Sequence, residues 1–210
     1  MPVDLIVAVP FWEPNSASKS FSTMYDQTWV EKLYRGFARN LTRPFEFVCF
    51  TDRERDFEEP ITCRRLSSLR PTYADCLEPY SLGRPMILVG LDTIITGNLD
   101  HFADYATTAH HVALPRAVYA ENTVCNGVAL VPSGFGWIWD ELTDRSHPQA
   151  DMERLRGIDY RVLDDIFPGH AVSYKRDVMM NGLNDARLVF FHGALKPNEL
   201  DENWIREHWR

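Results

Sequence analysis

Apolar residues in this chain gather in short unbroken runs, separated by longer stretches in which apolar and charged positions alternate with helical spacing. Residues 3–9 form the first run and Pro10 ends it. Residues 45–51 read as a strand, 61–66 as a third that carries Arg64 and Arg65, and 86–89 as an unbroken apolar run of the kind buried on both faces. Between the first two runs, residues 25–41 place Trp29, Leu33, Phe37 and Leu41 four apart, with Glu31, Lys32, Arg35 and Arg39 on the other face. That spacing predicts an amphipathic helix covering a sheet. Residues 93–96 return to a β-branched strand pattern, Gly97-Asn98 breaks it as a turn, and Asn98 is placed to cap a helical turn through Leu99, Asp100 and Phe102. Residues 67–85 carry Pro71, Pro79, Gly83 and Pro85 and are too broken for a long helix. Further on, 111–115 and 124–132 read as strands, 135–142 and 151–156 as helices, 159–167 as a helix opened by Asp159, and 171–175 and 187–191 as the last strands. A terminal helix begins at Asn198 or Glu199 and carries Trp204, His208 and Trp209.

Strand runs alternating with helical patterns define an α/β fold with a mostly parallel central sheet flanked by helices. At 210 residues the chain is read as a single domain, 1–210, and 45% hydrophobic residues are enough to fill a core. A formal charge of −8 argues against a protein that coats DNA or RNA, which needs a basic face, but leaves room for a local basic cleft. Cys49, Cys63, Cys76 and Cys125 are scattered with no C-x-x-C. Cys49 and Cys125 lie in apolar runs and read as buried thiols, and a reducing, cytoplasmic setting is the simpler expectation. The first residues read as a strand and not as a signal peptide, and no apolar run approaches the roughly 20 residues that cross a bilayer.

The chemistry gathers where strand patterns end. Asp92 follows the 86–89 run with no charge beside it, so a carboxylate stands at the carboxyl end of a buried strand, the edge where open α/β sheets bind ligands. The loop 11–22 after the first strand has neither G-x-G-x-x-G nor G-x-x-x-x-G-K-[ST], which argues against a dinucleotide fold and a P-loop. Asn126 and Gly127 interrupt an apolar strand; a buried amide needs partners, and a glycine permits close backbone approach to a ligand. A β-bulge with a satisfied asparagine accounts for the same residues.

These features, taken in order, resemble GT-A glycosyltransferases of family 8, the glycogenin and bacterial galactosyltransferase type. Residues 86–102 resemble the family's metal-binding segment, with Asp92 as the second acid of its Asp-x-Asp motif and Gly90 standing where the first belongs. The resemblance implies a GT-A-like, Rossmann-like fold. It also implies Mn²⁺ or Mg²⁺ as cofactor, held by Asp92 and His192, and a nucleotide-sugar donor, UDP-linked by analogy. Donor contacts implied in the same way are Phe11, Trp12 and Tyr25 on the base, Gly90 and Leu91 beside Asp92, Asn126 and Gly127 beside the sugar, and Gly193 and Lys196 at the diphosphate. Phe11, Trp12 and Tyr25 read equally well as core packing. Arg84 is the nearest basic residue upstream, with Arg70 as an alternative, and either fits a solvated role. Asp159 resembles the Asp of an Asp-Gln segment that contacts the sugars, with Tyr160 in place of the Gln, and reads equally well as a helix cap. His192-Gly193 with Lys196-Pro197 resembles the family's late His-x-x-Gly-x-x-Lys-Pro motif, with the histidine moved next to the glycine. Asn126 and Asp159 are the candidates for catalytic sugar contacts. The acceptor is left open among a glycan, a protein and a modified nucleobase. The rival expectation is an inactive relative that binds a nucleotide sugar or glycan without turning it over.

Overall fold

The computed structural model describes residues 4–18, 24–143 and 150–210. In chain order the strands are β1 (Leu5–Phe11), β2 (Phe45–Thr51), β3 (Ile61–Arg65), β4 (Met86–Val89), β5 (Thr93–Ile95), β6 (Val112–Leu114), β7 (Arg116–Ala117), β8 (Ala120–Val124), β9 (Val128–Val131), β10 (Tyr160–Val162), β11 (Ala171–Ser173) and β12 (Leu188–Phe190). The α-helices are α1 (Gln27–Asn40), α2 (Asp100–Thr108), α3 (Trp137–Asp140), α4 (Ala150–Arg156), α5 (Leu163–Ile166), α6 (Met179–Asn181) and α7 (Asn203–His208).

A seven-stranded sheet runs in the order β10-β6-β9-β4-β1-β2-β3. Its pairs are parallel except for those that β9 makes with β4 and with β6. In β1, Leu5, Val7, Val9 and Phe11 face the core under α1 and α2, while Ile6 and Ala8 face the other layer, with Leu77, Tyr80 and Trp139. A strand buried on both faces therefore shows no polar alternation, as its sequence run implied. Pro10 does not end β1. The N–H of Ile6 points toward the β4 side, so Pro10 occupies the same side four residues on, beyond the stretch Met86–Leu88 that β4 contributes to pairing. No ladder donor is needed there, and a proline is tolerated.

Helix α1 forms where its pattern placed it. The side chain of Asp26 accepts from the Thr28 N–H at the amino end, and Trp29, Leu33 and Phe37 are buried. Residues 73–82, in the stretch read as too broken for a long helix, form a ten-residue 3₁₀ helix, Tyr73–Leu82. A reciprocal cap between Thr72 and Asp75 starts it, Pro79 is accommodated in it, and Gly83 at φ 61° ends it. The expected helix over 159–167 is instead edge strand β10 followed by the single turn α5. Tyr160 to Val162 pair in parallel with Val112 to Leu114, so tertiary pairing overrides a local helical pattern. Strand β11 stops at Ser173 and gives way to a π-helical turn, Tyr174–Val178. The expected strand 124–132 is split: β8 belongs to a hairpin with β7, and only β9 enters the main sheet. The terminal helix begins at Asn203, after a 3₁₀ turn over Pro197–Glu199. None of the described helices is long and apolar enough to cross a membrane.

A second, three-stranded sheet, β11-β12-β5, determines the site. Strand β12 lies antiparallel to β5, with Phe190 opposite Thr93. The Phe191 N–H then donates to the Asp92 carbonyl at 3.2 Å. That register carries the segment after β12, with His192 and Lys196, back onto the end of β4.

Candidate functional site

Three chain segments meet at the carboxyl end of β4. The first is Gly90-Leu91-Asp92. The second is Asn126-Gly127, brought opposite by the antiparallel β4–β9 pairing, with the Gly90 N–H donating to the Gly127 carbonyl at 3.4 Å. The third is 192–196. Gly127 serves close approach: a Cβ there would come within 2.6 Å of the Phe190 ring. Gly127→Ala is therefore expected to cost about 1–3 kcal/mol, as overpacking does. Urea denaturation of the two proteins checks it, and an unchanged midpoint would refute the contact.

Asp92 is 9% exposed and Lys196 is 2% exposed. The Lys196 ammonium donates to Asp92 Oδ2 in a buried ion pair. The Tyr25 hydroxyl donates to the same oxygen at 3.0 Å. Burial, and then the Asp92 carboxylate, push the Tyr25 phenol far above its usual range, so it stays a donor. The backbone that delivers Lys196 is unusual. Gly193 has φ 61°, and Leu195, a non-glycine residue directly before the lysine, has φ 70°. A leucine in that region costs of order 1 kcal/mol, and such residues persist where the surroundings fix them. Lys196 then caps the 3₁₀ turn, its N–H donating to Glu199 Oε2 at 2.7 Å, with Pro197 in the first position.

His192 is held by both ring nitrogens: Nδ1 lies 3.3 Å from Ser173 Oγ and Nε2 lies 3.2 Å from the Tyr119 hydroxyl. Burial, and then the Lys175 and Lys196 ammoniums, push its pKa below the usual imidazole value, against the opposite pull of Asp92.

Two cavities share Gly90, Asp92 and His192 as a common wall. One, of about 230 Å³, is an aromatic slot lined by Phe11, Trp12, Tyr25 and Tyr73, with Gly193 and Lys196 at its side. The indole N–H of Trp12 is buried and has no hydrogen-bond partner among the described residues. The other, of about 390 Å³, is lined by Asn126, Gly127, Asp151, Arg156 and Tyr119, among others. Asn126 Nδ2 donates to Asp151 Oδ2 at 3.3 Å. Burial pushes the Asp151 carboxyl above the ordinary carboxylate range, opposed by the Asn126 amide and the Met152 backbone N–H.

The fold thus brings together Phe11, Trp12, Tyr25, Gly90, Leu91, Asp92, Asn126, Gly127, His192, Gly193 and Lys196. It does not bring in Asp159, Arg84 or Arg70. The Asp159 carboxylate is exposed and pairs with Arg161 at 3.0 Å and His111 at 3.1 Å, because the expected helix is an edge strand that faces it outward. Arg84 lies at the amino end of β4, the opposite end from Asp92, where it pairs with Glu46 at 2.9 Å. Arg70 is exposed. Two site residues carried no sequence signal. Asp151 reads as an ordinary first-turn helix acid, and Lys175 as a strand-end lysine. Yet the Lys175 Nζ stands 3.6 Å from the position a Cβ on Gly193 would occupy.

The expected divalent ion can be tested against this donor set. Mn²⁺ and Mg²⁺ take about six oxygen or nitrogen ligands. Asp92 Oδ2 already accepts from an ammonium and a phenol, both nitrogens of His192 have hydroxyl partners, and Gly90 offers no side chain. Among the described residues no group of three His, Cys, Asp or Glu gathers in a metal-holding arrangement. With Asp92 Oδ1 the open atom of the expected pair, Asp92 and His192 as they stand offer a divalent ion one ligand, too few for a site made by the protein alone.

The fold, α/β with a mostly parallel central sheet flanked by helices, is one shared with solved glycosyltransferases. No protein-family profile matches the sequence, and no curated protein sequence matches it. Among solved structures, the bifunctional glycosyltransferase WbbM in its apo form shares the fold at TM-score 0.62 and 10% identity, over 94% of this chain and 47% of that one. GlyE, a glycosyltransferase of Streptococcus pneumoniae TIGR4, shares it at TM-score 0.60 and 15% identity, over 96% of this chain and 58% of its own. An active-site mutant of LgtC matches at TM-score 0.53 and 8% identity, over 92% of this chain and 89% of its own. The chain spans about half the length of the WbbM and GlyE structures.

Proposed function

We propose that this protein is a glycosyltransferase that takes a hexose-like sugar from a nucleotide sugar, UDP-linked by analogy with family 8, and passes it to an acceptor hydroxyl. The observation that carries this reading is the pair of cavities sharing one wall: an aromatic slot beside a buried ammonium, and a larger, mainly apolar pocket with a carboxylate and an amide in its lining. Aromatic faces suit a nucleoside base, Lys196 suits a diphosphate, and Asn126 with Asp151 suits sugar hydroxyls. In the reaction the bond from the anomeric carbon to the diphosphate oxygen breaks and its electron pair stays on that oxygen. The acceptor oxygen bonds the same carbon and its proton is released. Negative charge grows on the departing β-phosphate, and preorganised N–H donors stabilise it. Asp92 holds the Lys196 ammonium in place, and Tyr25 fixes Asp92. The glycosyltransferase fold of WbbM, GlyE and LgtC supports the reading. The four free cysteines fit work in a reducing cytoplasm.

The test is a thermal-shift panel of nucleoside diphosphates and nucleotide sugars, followed by release of diphosphate from whichever donor binds. A ligand at about 100 times its dissociation constant adds roughly 2.7 kcal/mol, which such a panel resolves. Stabilisation by one nucleotide series, lost in Asp92→Ala, supports the assignment. No stabilisation by any nucleotide refutes it. Binding without diphosphate release, across acceptors, assigns the site to recognition alone.

A further inference from the structure

We infer that glycosyl transfer at this site is metal-independent, with Lys196 and Lys175 supplying the positive charge that a divalent ion would otherwise bring to the departing diphosphate. The inference rests on the glycosyltransferase reading above and concerns the source of the charge. Three observations carry it.

The first is occupancy of lone pairs. A carboxylate oxygen accepts about two hydrogen bonds, and Asp92 Oδ2 has two, from Tyr25 and from Lys196. Both ring nitrogens of His192 lie beside hydroxyl oxygens. Only Asp92 Oδ1 is left open among these atoms, so a divalent ion would gain one ligand without displacing a partner and would sit against an ammonium, a like-charge contact in a buried site.

The second is position 90. A Cβ there would stand 3.0 Å from Asp92 Oδ1. Glycine therefore offers no side-chain ligand and leaves the space beside Asp92 Oδ1 open, with Oδ2 on Lys196.

The third is a second cation. Lys175 is the second residue of the π-helical turn after β11, beside His192 and Gly193, and has no ion pair among the described residues. Lys196 uses one of its three N–H donors on Asp92, which leaves two for phosphate oxygens. Around His192 and Gly193 the two ammoniums outweigh the Asp92 carboxylate, so an anion that reaches these residues meets net positive charge. As the bond from the sugar to the diphosphate breaks, the electron pair settles on the β-phosphate oxygen and these N–H donors meet it. No metal is consumed or required for the balance.

The experiment uses the whole chain, with UDP, GDP and ADP as probes in calorimetry, with excess EDTA or with Mn²⁺. Mn²⁺ spin resonance in the presence of the tightest of the three reads metal directly. The expected result is nucleotide affinity that changes by less than about twofold between the two conditions. The Mn²⁺ signal should match that of nucleotide and metal without protein. Lys196→Met is expected to weaken the nucleotide by about 10- to 100-fold, the worth of a charge-assisted hydrogen bond, in EDTA as in Mn²⁺. Lys175→Met should weaken it by roughly tenfold, and the two losses should combine. Asp92→Asn, which keeps an oxygen for the ammonium, should retain nucleotide affinity within about tenfold and stay insensitive to EDTA. Nucleotide binding or transfer that appears only with Mn²⁺ overturns the inference and leaves the glycosyltransferase reading standing. Unchanged affinity in Lys175→Met overturns the two-lysine assignment. Failure of all three nucleotides to bind under either condition overturns the reading and the inference together.

Discussion

Lys196→Met is expected to lower turnover by about 10²- to 10³-fold, the usual loss when one preorganised donor to a developing oxyanion is removed. The same change should destabilise the fold by about 3–5 kcal/mol, because it leaves the Asp92 carboxylate buried without its counter-charge. The two effects separate in the double variant Asp92→Asn with Lys196→Met. Removing both charges removes the unpaired ion, so most of the stability should return, while turnover stays low because the ammonium is still missing. Urea denaturation and donor turnover, measured on the three variants, decide it. A double variant that recovers activity with stability would show that the lysine is a structural partner of Asp92 and nothing more.

Asp151→Asn is expected to move activity and stability in opposite directions. A charged hydrogen bond to a sugar hydroxyl is worth about 1.5–3 kcal/mol, so kcat/KM should fall by roughly 10- to 100-fold. Stability should rise. Burial holds the Asp151 carboxyl above its ordinary range, so the folded chain keeps a proton that the unfolded chain gives up. Between those two pKa values the folded state binds more protons, and stability falls as pH rises through that window. Asparagine carries no such term. The melting temperatures of the two proteins should therefore coincide below about pH 4, where both forms of the acid are protonated, and diverge in favour of the variant as pH rises. A parent protein that stays as stable as the variant at neutral pH would show that the carboxylate is not held at a cost. Buried groups kept against the interest of stability are expected at functional sites.

Position along the chain and position in the fold carried different parts of this site. Asp92 was visible because a lone carboxylate ends an apolar strand run, and Asn126-Gly127 because an amide and a glycine break one. Helix α1 was visible because four-residue spacing of Trp29, Leu33 and Phe37 is a local property. The helix expected over 159–167 was not formed. A three-residue edge strand has no periodicity to distinguish it from a helical turn, and pairing with β6 decided the outcome. The placement of Asp159 failed with it. Arg84 failed for a directional reason: it precedes β4, and only the residues that follow a strand reach its carboxyl edge.

The sequence by itself determined the layered α/β architecture, because burial on both faces of a strand and on one face of a helix leaves its period in the order of residues. It also determined which residue types stood ready at strand ends. Only the tertiary structure decided what those residues do together. Asp92 and Lys196 are separated by 104 positions, and their pairing follows from the antiparallel register of β12 on β5, which no local pattern encodes. Asp151 joins Asn126 through the packing of α4 against β8, and Lys175 stands beside Gly193 through the parallel pairing of β11 with β12. The charge around Asp92 is then a property of the assembled site: a carboxylate at the end of a strand run carries, once the chain is folded, a buried ammonium on one oxygen.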